Sequence, residues 1–310
     1  MGLKGRDLIS IRDLSRDDME EVLRASRRLI PVAEGRKTSH ALSDRLLTLA
    51  FFEPSTRTRL SFESAMHRLG GQCVTIADPA SSSMKKGESL HDTIRILSNY
   101  GDAIVLRHPN EGAARLAAQA SDKPVINAGD GAGQHPSQTL LDLATIHEAF
   151  GTLTGLKVVL LGDLKYGRTV HSLAHALAVF GSELVLSSPP SLGLPDEVRE
   201  HLDHIGARVS MADQLHQVIR DADVLYVTRI QRERFGEETE YRKVAGSYRI
   251  DNTLLSGAKN RLIVMHPLPR MGEIAPEVDG SPHAAYFRQA FLGLPIRMAL
   301  LSLILAGRVG

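Results

Sequence analysis

Short apolar segments rich in β-branched residues alternate with segments of helical periodicity along this chain. The alternation is typical of βα units, in which each helix carries the chain back to the next strand of a parallel sheet. The predicted strands are 46–52, 72–77, 103–106 and 125–127 in the first half and 157–161, 184–187, 224–227 and 262–265 in the second. The sequence therefore predicts an α/β fold with two parallel sheets.

The length of the chain predicts two domains. Its 310 residues exceed what one hydrophobic core usually organises, so two domains of about 150 residues each, with a cleft between them, are expected. Residues 138–150 are predicted to form a helix that Gly151 ends, which places the boundary near 136–155. A C-terminal helix is predicted over 295–306. Near the N-terminus a helix is predicted to start at Ser15, with Asp18 in the capping position.

Composition excludes several classes of protein. Lys and Arg total 37 and Asp and Glu total 36, so no bulk field draws the chain to nucleic acid or membrane. The single Cys73 can form no internal disulfide and no thiolate metal cluster, which fits a reducing cytoplasm. Residues 1–12 lack a signal-peptide core, and the longest apolar stretch, 298–306, is shorter than the roughly 20 residues of a membrane span. We expect a water-soluble cytoplasmic protein.

The most informative segment is Phe-Phe-Glu-Pro-Ser-Thr-Arg-Thr-Arg-Leu-Ser-Phe-Glu, residues 51–63. It follows a predicted strand and enters a predicted helix, so helix N–H groups, the hydroxyls of Ser55 and Thr56 and the guanidinium of Arg57 converge on one small volume. That volume suits a phosphate. The alternative is an ordinary capped helix with solvated arginines. Arg59 has a structural explanation, an ion pair with Glu63 one helical turn on.

This segment resembles the carbamoyl phosphate signature of the aspartate and ornithine carbamoyltransferases. The resemblance continues from the first helix to the tail at 297–305. It implies that four residues hold the phosphate: Ser55, Thr56, Arg57 and Thr58. It also implies that Arg57 meets the charge that grows as phosphate leaves.

Two further elements carry donor-binding residues. Arg107 follows an apolar strand and begins an Arg-His-Pro sequence. Ligands of open α/β sheets bind at that edge, although composition alone favours an arginine in solvent. The loop 127–138 brings His135 to the mouth of a helix that Pro136 begins, with Gln138 one turn along. Both elements are similar to the family's, where the histidine donates to the carbamoyl oxygen. A plain cap is the alternative for His135.

His-Pro-Leu-Pro-Arg, residues 266–270, follows the last predicted strand. Its prolines fix the backbone so that the carbonyls of Pro267 and Leu268 can accept from a carbamoyl NH2 group. A structural turn is the alternative. The resemblance also assigns Pro269 to carbamoyl phosphate binding, and the His-Pro-Leu-Pro form is similar to that of the aspartate enzymes, since ornithine enzymes typically carry cysteine at the second position.

Two arginines follow strands in the second half, Arg168 after 157–161 and Arg229 after 224–227. Aspartate has two carboxylates, so two separated arginines suit it, whereas solvated charges are the alternative. The G-x-G-x-x-G spacing of a dinucleotide fold is missing. Both segments resemble those of aspartate carbamoyltransferases, which implies that Arg168, Arg229 and Gln231 bind aspartate. The polar segment 235–240 matches a family loop that moves as the domains close.

Residues 78–90 are too polar to pack as core and by themselves predict a mobile surface loop. In the family the matching loop crosses into the adjacent subunit of a trimer. The resemblance implies that Ser82 and Lys86 complete the neighbouring site, with Lys86 binding aspartate and Lys85 an alternate for it. Whether separate regulatory chains bind stays open.

The resemblance implies transfer of the carbamoyl group of carbamoyl phosphate to L-aspartate, the committed step of de novo pyrimidine biosynthesis, with no metal and no cofactor. It assigns catalysis to Arg57, Thr58 and His135. It divides the chain into a carbamoyl phosphate-binding domain (1–136 with 290–310), a connecting helix (137–149) and an aspartate-binding domain (150–289), with the C-terminal helix returning to the first domain. The rivals are a carbamoyltransferase for ornithine or a related amine, and a catalytically silent partner that binds only phosphate.

Overall fold

The computed structural model describes residues 2–76, 87–212 and 214–309, without the side chain of Glu233. The chain divides into two compact units. Unit 1 comprises Met1–Leu141 and Phe291–Gly310, and unit 2 comprises Asp142–Ala290.

Unit 1 contains a four-stranded parallel sheet in the order β2-β1-β3-β4. Its strands are β1 (Leu46–Phe51), β2 (Gln72–Ile76), β3 (Ala103–His108) and β4 (Val125–Asp130). Every residue of β3 and β4 is buried, whereas β2 at the sheet edge is partly exposed. Continuous burial on both faces is the usual condition of a parallel sheet covered by helices.

The helices of unit 1 include α1 (Arg16–Ala33), α2 (Thr56–Arg68), α3 (Leu90–Leu97) and α4 (Ala113–Ala120). Ser15 caps α1 in the predicted way, because its side chain accepts from the backbone N–H of Asp18 and the Asp18 carboxylate accepts from that of Ser15. Helix α5 (Pro136–Phe150) begins in unit 1 and continues into unit 2.

Unit 2 contains a five-stranded parallel sheet in the order β7-β6-β5-β8-β9. Its strands are β5 (Lys157–Leu161), β6 (Glu183–Ser187), β7 (Arg208–Met211), β8 (Val224–Val227) and β9 (Ile263–Met265). Its further helices are α6 (Arg168–Val179), α7 (Asp196–His204), α8 (Leu215–Val218), α9 (Glu238–Val244) and α10 (Asn252–Leu255). The α/β fold with two helix-flanked parallel sheets is thereby confirmed.

Helix α11 (Tyr286–Ala306) begins earlier than predicted and holds Pro295 in its interior. Its last part, 291–310, belongs to unit 1, where the N–H of Gly5 donates to the carbonyl of Ile304 at 2.9 Å. Among the described residues α11 alone is long and apolar enough to cross a membrane, with a mean hydropathy of 1.7, and 78% of that window is buried inside the protein. Core helices of soluble proteins have the same properties, so this is weak evidence for a span.

A buried polar network in unit 2 yields a stability prediction. The Tyr226 hydroxyl donates to Asp142 Oδ2 at 2.9 Å and Gln289 Nε2 donates to Asp142 Oδ1 at 2.7 Å. We expect Tyr226→Phe to lower the free energy of unfolding by about 2 kcal/mol, because a buried carboxylate loses a donor. Urea unfolding followed by circular dichroism measures this. Tyr100→Phe, at a side chain with 58% exposure, is the control and should change stability by less than about 0.5 kcal/mol.

Candidate active site

The predicted phosphate-binding segment lies where β1 ends and α2 begins. Ser55 is the N-cap of α2 with extended backbone (φ −157°, ψ 91°), and its side chain makes no capping hydrogen bond. Thr56 and Arg57 are exposed, whereas Thr58 is buried. The first N–H groups of a helix lack partners inside the helix and favour an anion. Hydroxyls, helix N–H groups and an exposed guanidinium therefore occupy one helix end, as phosphate binding requires.

Arg59 differs from Arg57 in its contacts. Its Nη1 lies 3.2 Å from Glu63 Oε2 one turn further along α2. This is the ion pair that the sequence predicts for Arg59, and it is confirmed. Two arginines only two residues apart therefore differ, since one stabilises the helix and the other is exposed at its first turn.

Arg107 lies at the carboxyl end of β3, opposite Phe51 of β1. Its Nη2 is 3.0 Å from Glu53 Oε2, and its Nη1 donates to the carbonyl of Ala128 at 3.0 Å. The residue is 8% exposed, so the alternative of a solvated rim arginine is wrong. Glu53, in the Phe-Glu-Pro sequence, orients this guanidinium, and the sequence had indicated no role for that carboxylate.

The loop after β4 is held by Asp130. Its Oδ1 accepts from Asn127 Nδ2 at 2.9 Å and from the N–H of Gln134 at 2.8 Å. His135 follows, 4% exposed, and its carbonyl accepts from the N–H of Gln138 at 2.9 Å to start α5. Pro136 is the first residue of α5, as predicted. His135 is therefore a buried imidazole fixed at a helix mouth, with Gln138 one turn away.

These donor-binding candidates follow three adjacent strands. Arg57 comes after β1, Arg107 is the last but one residue of β3, and His135 comes after β4. The strands are neighbours in the order β1-β3-β4 and all run parallel. Their carboxyl ends therefore share one edge, where open α/β sheets bind ligands.

Arg297 connects α2 and α5, the helices that follow β1 and β4. From α11 its Nη1 donates to Ser61 Oγ of α2 at 2.9 Å, and its Nη2 donates to Ser137 Oγ of α5 at 3.5 Å. Arg297 is 4% exposed, and its guanidinium carbon lies 5.1 Å from the Phe62 ring centroid. The only sequence signal for this role is a cation inside an apolar helix.

In unit 2, the predicted acceptor-binding residues follow the adjacent strands β5 and β8. Arg168 is the first residue of α6 after β5, and Arg229 comes two residues after β8. The N–H of Thr228 donates to the carbonyl of Leu161 at 2.9 Å, so the two strand ends are held together. Both arginines are partly exposed. The structure thus brings Arg168 and Arg229 to one edge of the second sheet.

Asp163 clamps the loops that carry them. It is fully buried, and its carboxylate accepts from the N–H of Tyr166 at 2.9 Å and of Gln231 at 3.3 Å. Burial raises the pKa of Asp163. Gln231 Nε2 donates to the carbonyl of Tyr166 at 3.0 Å. Gln231 therefore joins the two loops, and the sequence had not indicated the clamping role of Asp163.

Gly162 permits this close approach. It has φ +117°, and a Cβ atom there would lie 2.4 Å from the carbonyl oxygen of Thr228. No side chain fits in that space. The glycine after β5 therefore serves strand packing, consistent with the missing dinucleotide spacing.

The segment after β9 has an unusual backbone. Leu268 has φ +55°, the only positive φ of a non-glycine residue among those described, and the Leu268–Pro269 bond is cis. The N–H of His266 donates to Gln289 Oε1 at 2.8 Å. Arg270 pairs with Asp279, with Nη2 at 2.6 Å from Oδ2, and its guanidinium carbon lies 5.2 Å from the Tyr286 ring centroid.

This last ion pair gives a pH prediction. Hydrogen bonds from the Arg270 guanidinium and the Tyr286 hydroxyl lower the pKa of Asp279 from 3.8 to about 2. A depressed folded-state pKa stabilises the protein above pH 3.8, and that contribution is lost as pH falls from about 4 toward 2. We expect Asp279→Asn to lower Tm at pH 7, with a smaller difference from wild type at pH 3. Calorimetry tests this, with the exposed Asp221→Asn as control. An equal difference at both pH values would contradict the assignment.

The residues expected from a neighbouring subunit, Ser82 and Lys86 with the alternate Lys85, lie outside the described part of the chain.

Two family models match nearly the whole chain. The aspartate/ornithine carbamoyltransferase carbamoyl-P binding domain matches residues 6–148, and the Asp/Orn binding domain of the same family matches residues 154–304.

Similar proteins agree with these matches. The aspartate carbamoyltransferase catalytic subunit of Thermococcus onnurineus is 57% identical over 98% of both chains, and that of Methanothermobacter thermautotrophicus is 56% identical over 98% of this chain and 97% of its own. The M. jannaschii aspartate transcarbamoylase catalytic subunit superposes with a TM-score of 0.90 at 48% identity, covering 98% of this chain and 99% of its own. Aspartate transcarbamoylase from Trypanosoma cruzi, in complex with N-(phosphonacetyl)-L-aspartic acid, gives 0.93 at 40% identity, covering 98% and 97%. The chain therefore belongs to the aspartate/ornithine carbamoyltransferase family.

Proposed function

We propose that this protein transfers the carbamoyl group of carbamoyl phosphate to L-aspartate, releasing N-carbamoyl-L-aspartate and phosphate. This is the committed step of de novo pyrimidine biosynthesis. The observation that carries the proposal is full-length identity of 54–57% to several proteins named aspartate carbamoyltransferase catalytic subunit. It is supported by structures of the 40% identical T. cruzi enzyme with carbamoyl phosphate and aspartate bound.

We assign the donor to groups at the edge of the first sheet. Its phosphate binds the first turn of α2 and Arg57, where the helix dipole and the guanidinium favour negative charge. The donor residues at or after strand ends of the first sheet are Ser55, Thr56, Arg57, Thr58, Arg107, His135 and Gln138. By resemblance, Pro267, Leu268 and Pro269, which follow β9 of the second sheet, also bind the donor. Arg107 is preorganised by Glu53 at 3.0 Å, so little side-chain freedom is lost when it binds.

We assign the aspartate carboxylates to Arg168 and Arg229. A guanidinium binds a carboxylate with two parallel hydrogen bonds, so two arginines can fix both ends of a dicarboxylate. Gln231 assists, since it joins the two loops through Tyr166. By resemblance, Lys86 also binds aspartate and comes, like Ser82, from a neighbouring subunit.

In the proposed mechanism the neutral amine of aspartate attacks the carbamoyl carbon. Arg57, Thr58 and His135 stabilise the oxyanion of the tetrahedral intermediate. The C–O bond to phosphate then breaks, and the departing phosphate takes the proton that the amine loses. A neutral imidazole can donate to the oxyanion without transferring a proton, and His135 lies buried at the mouth of α5. Orientation of the two bound substrates supplies much of the acceleration.

The second candidate is an ornithine carbamoyltransferase, since the family models cover both acceptors. Ornithine carries a side-chain ammonium, which a neutral or acidic pocket would recognise. The segment after β8 instead carries two arginines, of which Arg232 pairs with Glu238 at 2.8 Å and Arg229 is assigned to the acceptor. A guanidinium at this position favours a dicarboxylate.

The assembly and location belong to the same proposal. We infer a homotrimer with active sites shared between subunits. The relatives are named catalytic subunits, which is consistent with a separate regulatory chain that binds the trimer. A cytoplasmic location is supported by the lone Cys73, which has no second cysteine to pair with.

A turnover assay tests the function. With carbamoyl phosphate and L-aspartate, the purified protein should form N-carbamoyl-L-aspartate and release phosphate. With L-ornithine in place of L-aspartate, it should release far less phosphate. Light scattering should give three times the mass of one chain. Preference for ornithine would overturn the acceptor assignment, and substrate binding without product would indicate a silent partner.

A further inference from the structure

We propose that Glu273 is a positioning residue for carbamoyl recognition, acting through His266 to fix the backbone of Leu268. The inference rests on the proposed function, because it concerns the carbonyls of Pro267 and Leu268 that accept from the carbamoyl NH2 group.

The connection runs through one imidazole ring. The N–H of Leu268 donates to His266 Nδ1 at 2.8 Å, so this nitrogen presents its lone pair. His266 Nε2 lies 2.6 Å from Glu273 Oε1, and the proton of a neutral ring must therefore be on Nε2, donating to the carboxylate. Glu273 thus sets both the tautomer and the orientation of the ring that holds Leu268.

The Glu273 carboxylate also binds the backbone of the segment between His266 and Glu273 through its second oxygen. Glu273 Oε2 accepts from the N–H of Met271 at 2.8 Å. The side chains of His266 and Glu273 are 1% and 9% exposed, so water competes little for these bonds. Burial raises the pKa of Glu273, but hydrogen bonds from His266 and from backbone N–H groups outweigh it, and the pKa lies below its usual value. Glu273 is therefore an ionised acceptor at neutral pH.

Leu268 needs such support because of its backbone. Its φ of +55° lies in the left-handed region, which is unfavourable for a residue with a Cβ atom. Without the bond to His266 the residue can relax to another conformation, and its carbonyl then points elsewhere. The direction of an acceptor aimed at the substrate amide thus depends on a residue five positions further along the chain.

The start of the loop is fixed independently. The N–H of His266 donates to Gln289 Oε1 at 2.8 Å, and Gln289 Nε2 donates to the buried carboxylate of Asp142 at 2.7 Å. The backbone of His266 is therefore held whether or not Glu273 is present. Removal of Glu273 should release the ring and Leu268 while leaving the strand end in place.

The test compares two phosphorylated ligands that differ in one group. Carbamoyl phosphate carries the NH2 group, and acetyl phosphate carries a methyl group in its place. We expect Glu273→Ala to raise the KM for carbamoyl phosphate by about tenfold and to leave inhibition by acetyl phosphate nearly unchanged, because displaced positioning partners typically cost about 10- to 100-fold. Glu273→Gln, which keeps one carbonyl oxygen for His266, should recover part of the loss.

Two comparisons separate positioning from stability. Asp223→Ala removes a carboxylate that also has two partners, Lys259 Nζ at 2.9 Å and the N–H of Lys157 at 2.9 Å, but at the amino end of β8. It should lower Tm without changing the ratio of the acetyl phosphate Ki to the carbamoyl phosphate KM. His266→Ala should reproduce the effect of Glu273→Ala, and the double variant should be no worse than either.

An unchanged ratio in folded Glu273→Gln and Glu273→Ala, or additive effects in the double variant, would overturn the inference. If Glu273→Ala does not fold, the same ratio measured in Glu273→Gln and His266→Ala tests the inference. Wild-type protein that forms no N-carbamoyl-L-aspartate contradicts the proposed function itself, so the two failures are distinguishable.

Discussion

Replacing Arg57 by alanine should reduce kcat by at least about 1,000-fold while the protein stays folded. Arg57 is exposed at the first turn of α2, and its side chain makes no hydrogen bond or ion pair with any residue that the structure describes. Its removal therefore costs the fold little. In the proposed mechanism its guanidinium meets the charge that grows on the departing phosphate, and transition-state charge is where such a group contributes most.

The measurement is the rate of N-carbamoyl-L-aspartate formation, with circular dichroism and Tm as checks on folding. Arg68→Ala is the matched control, because Arg68 is an exposed arginine at the other end of the same helix. It should keep wild-type kcat. Arg57→Lys should recover only part of the activity, since an ammonium cannot form the bidentate contact. An Arg57→Ala enzyme within tenfold of wild type would remove the central assignment.

The sheets are the part of the fold that the sequence predicts best. All eight predicted strands occur, and 157–161 and 224–227 match β5 and β8 at both ends. For buried strands such as β3 and β8 the prediction works because strands buried on both faces appear as continuous apolar runs. It misses β7 (Arg208–Met211), an edge strand that is mostly exposed and therefore lacks such a run.

The start of the C-terminal helix is a second feature that the sequence predicts wrongly. Pro295 suggests a helix start, because proline favours the first helical position. Helix α11 nevertheless begins at Tyr286, nine residues earlier, and Pro295 lies inside it. Pro31 similarly lies inside α1. Tertiary packing of an almost fully apolar helix outweighs the local cost of one proline, which periodicity alone cannot indicate.

In the candidate site, too, some residues could be predicted from the sequence and others could not. The residues proposed to touch substrates lie in recognisable motifs at strand ends, so Arg57, Arg107 and Arg229 could be proposed from sequence. Residues that position them could not, because their partners are distant in the chain. Arg297 contacts Ser61 across 236 positions, and Asp163 accepts from Gln231 across 68. Such contacts depend on strand order and register, which are properties of the folded sheet.

Replacing Arg229 by alanine should lower kcat/KM for aspartate on the order of 1,000-fold and leave the KM for carbamoyl phosphate within about threefold. Arg229 lies in unit 2, two residues after β8, and is assigned to an aspartate carboxylate. The donor phosphate is assigned to the first turn of α2 in unit 1. The two substrates should therefore respond separately, because a lost guanidinium leaves one carboxylate unpaired and does not alter the phosphate site.

Initial rates with each substrate varied in turn measure this split. Arg220→Ala is the matched control, since Arg220 is an exposed arginine of the same unit just before β8. Arg229→Lys separates charge from geometry: an ammonium keeps the charge but not the planar fork, so it should restore only a minor part of kcat/KM. Equal losses for both substrates would indicate that Arg229 supports the fold or the donor, and the aspartate assignment would then fail. A selective loss places the acceptor carboxylate at the edge of the second sheet.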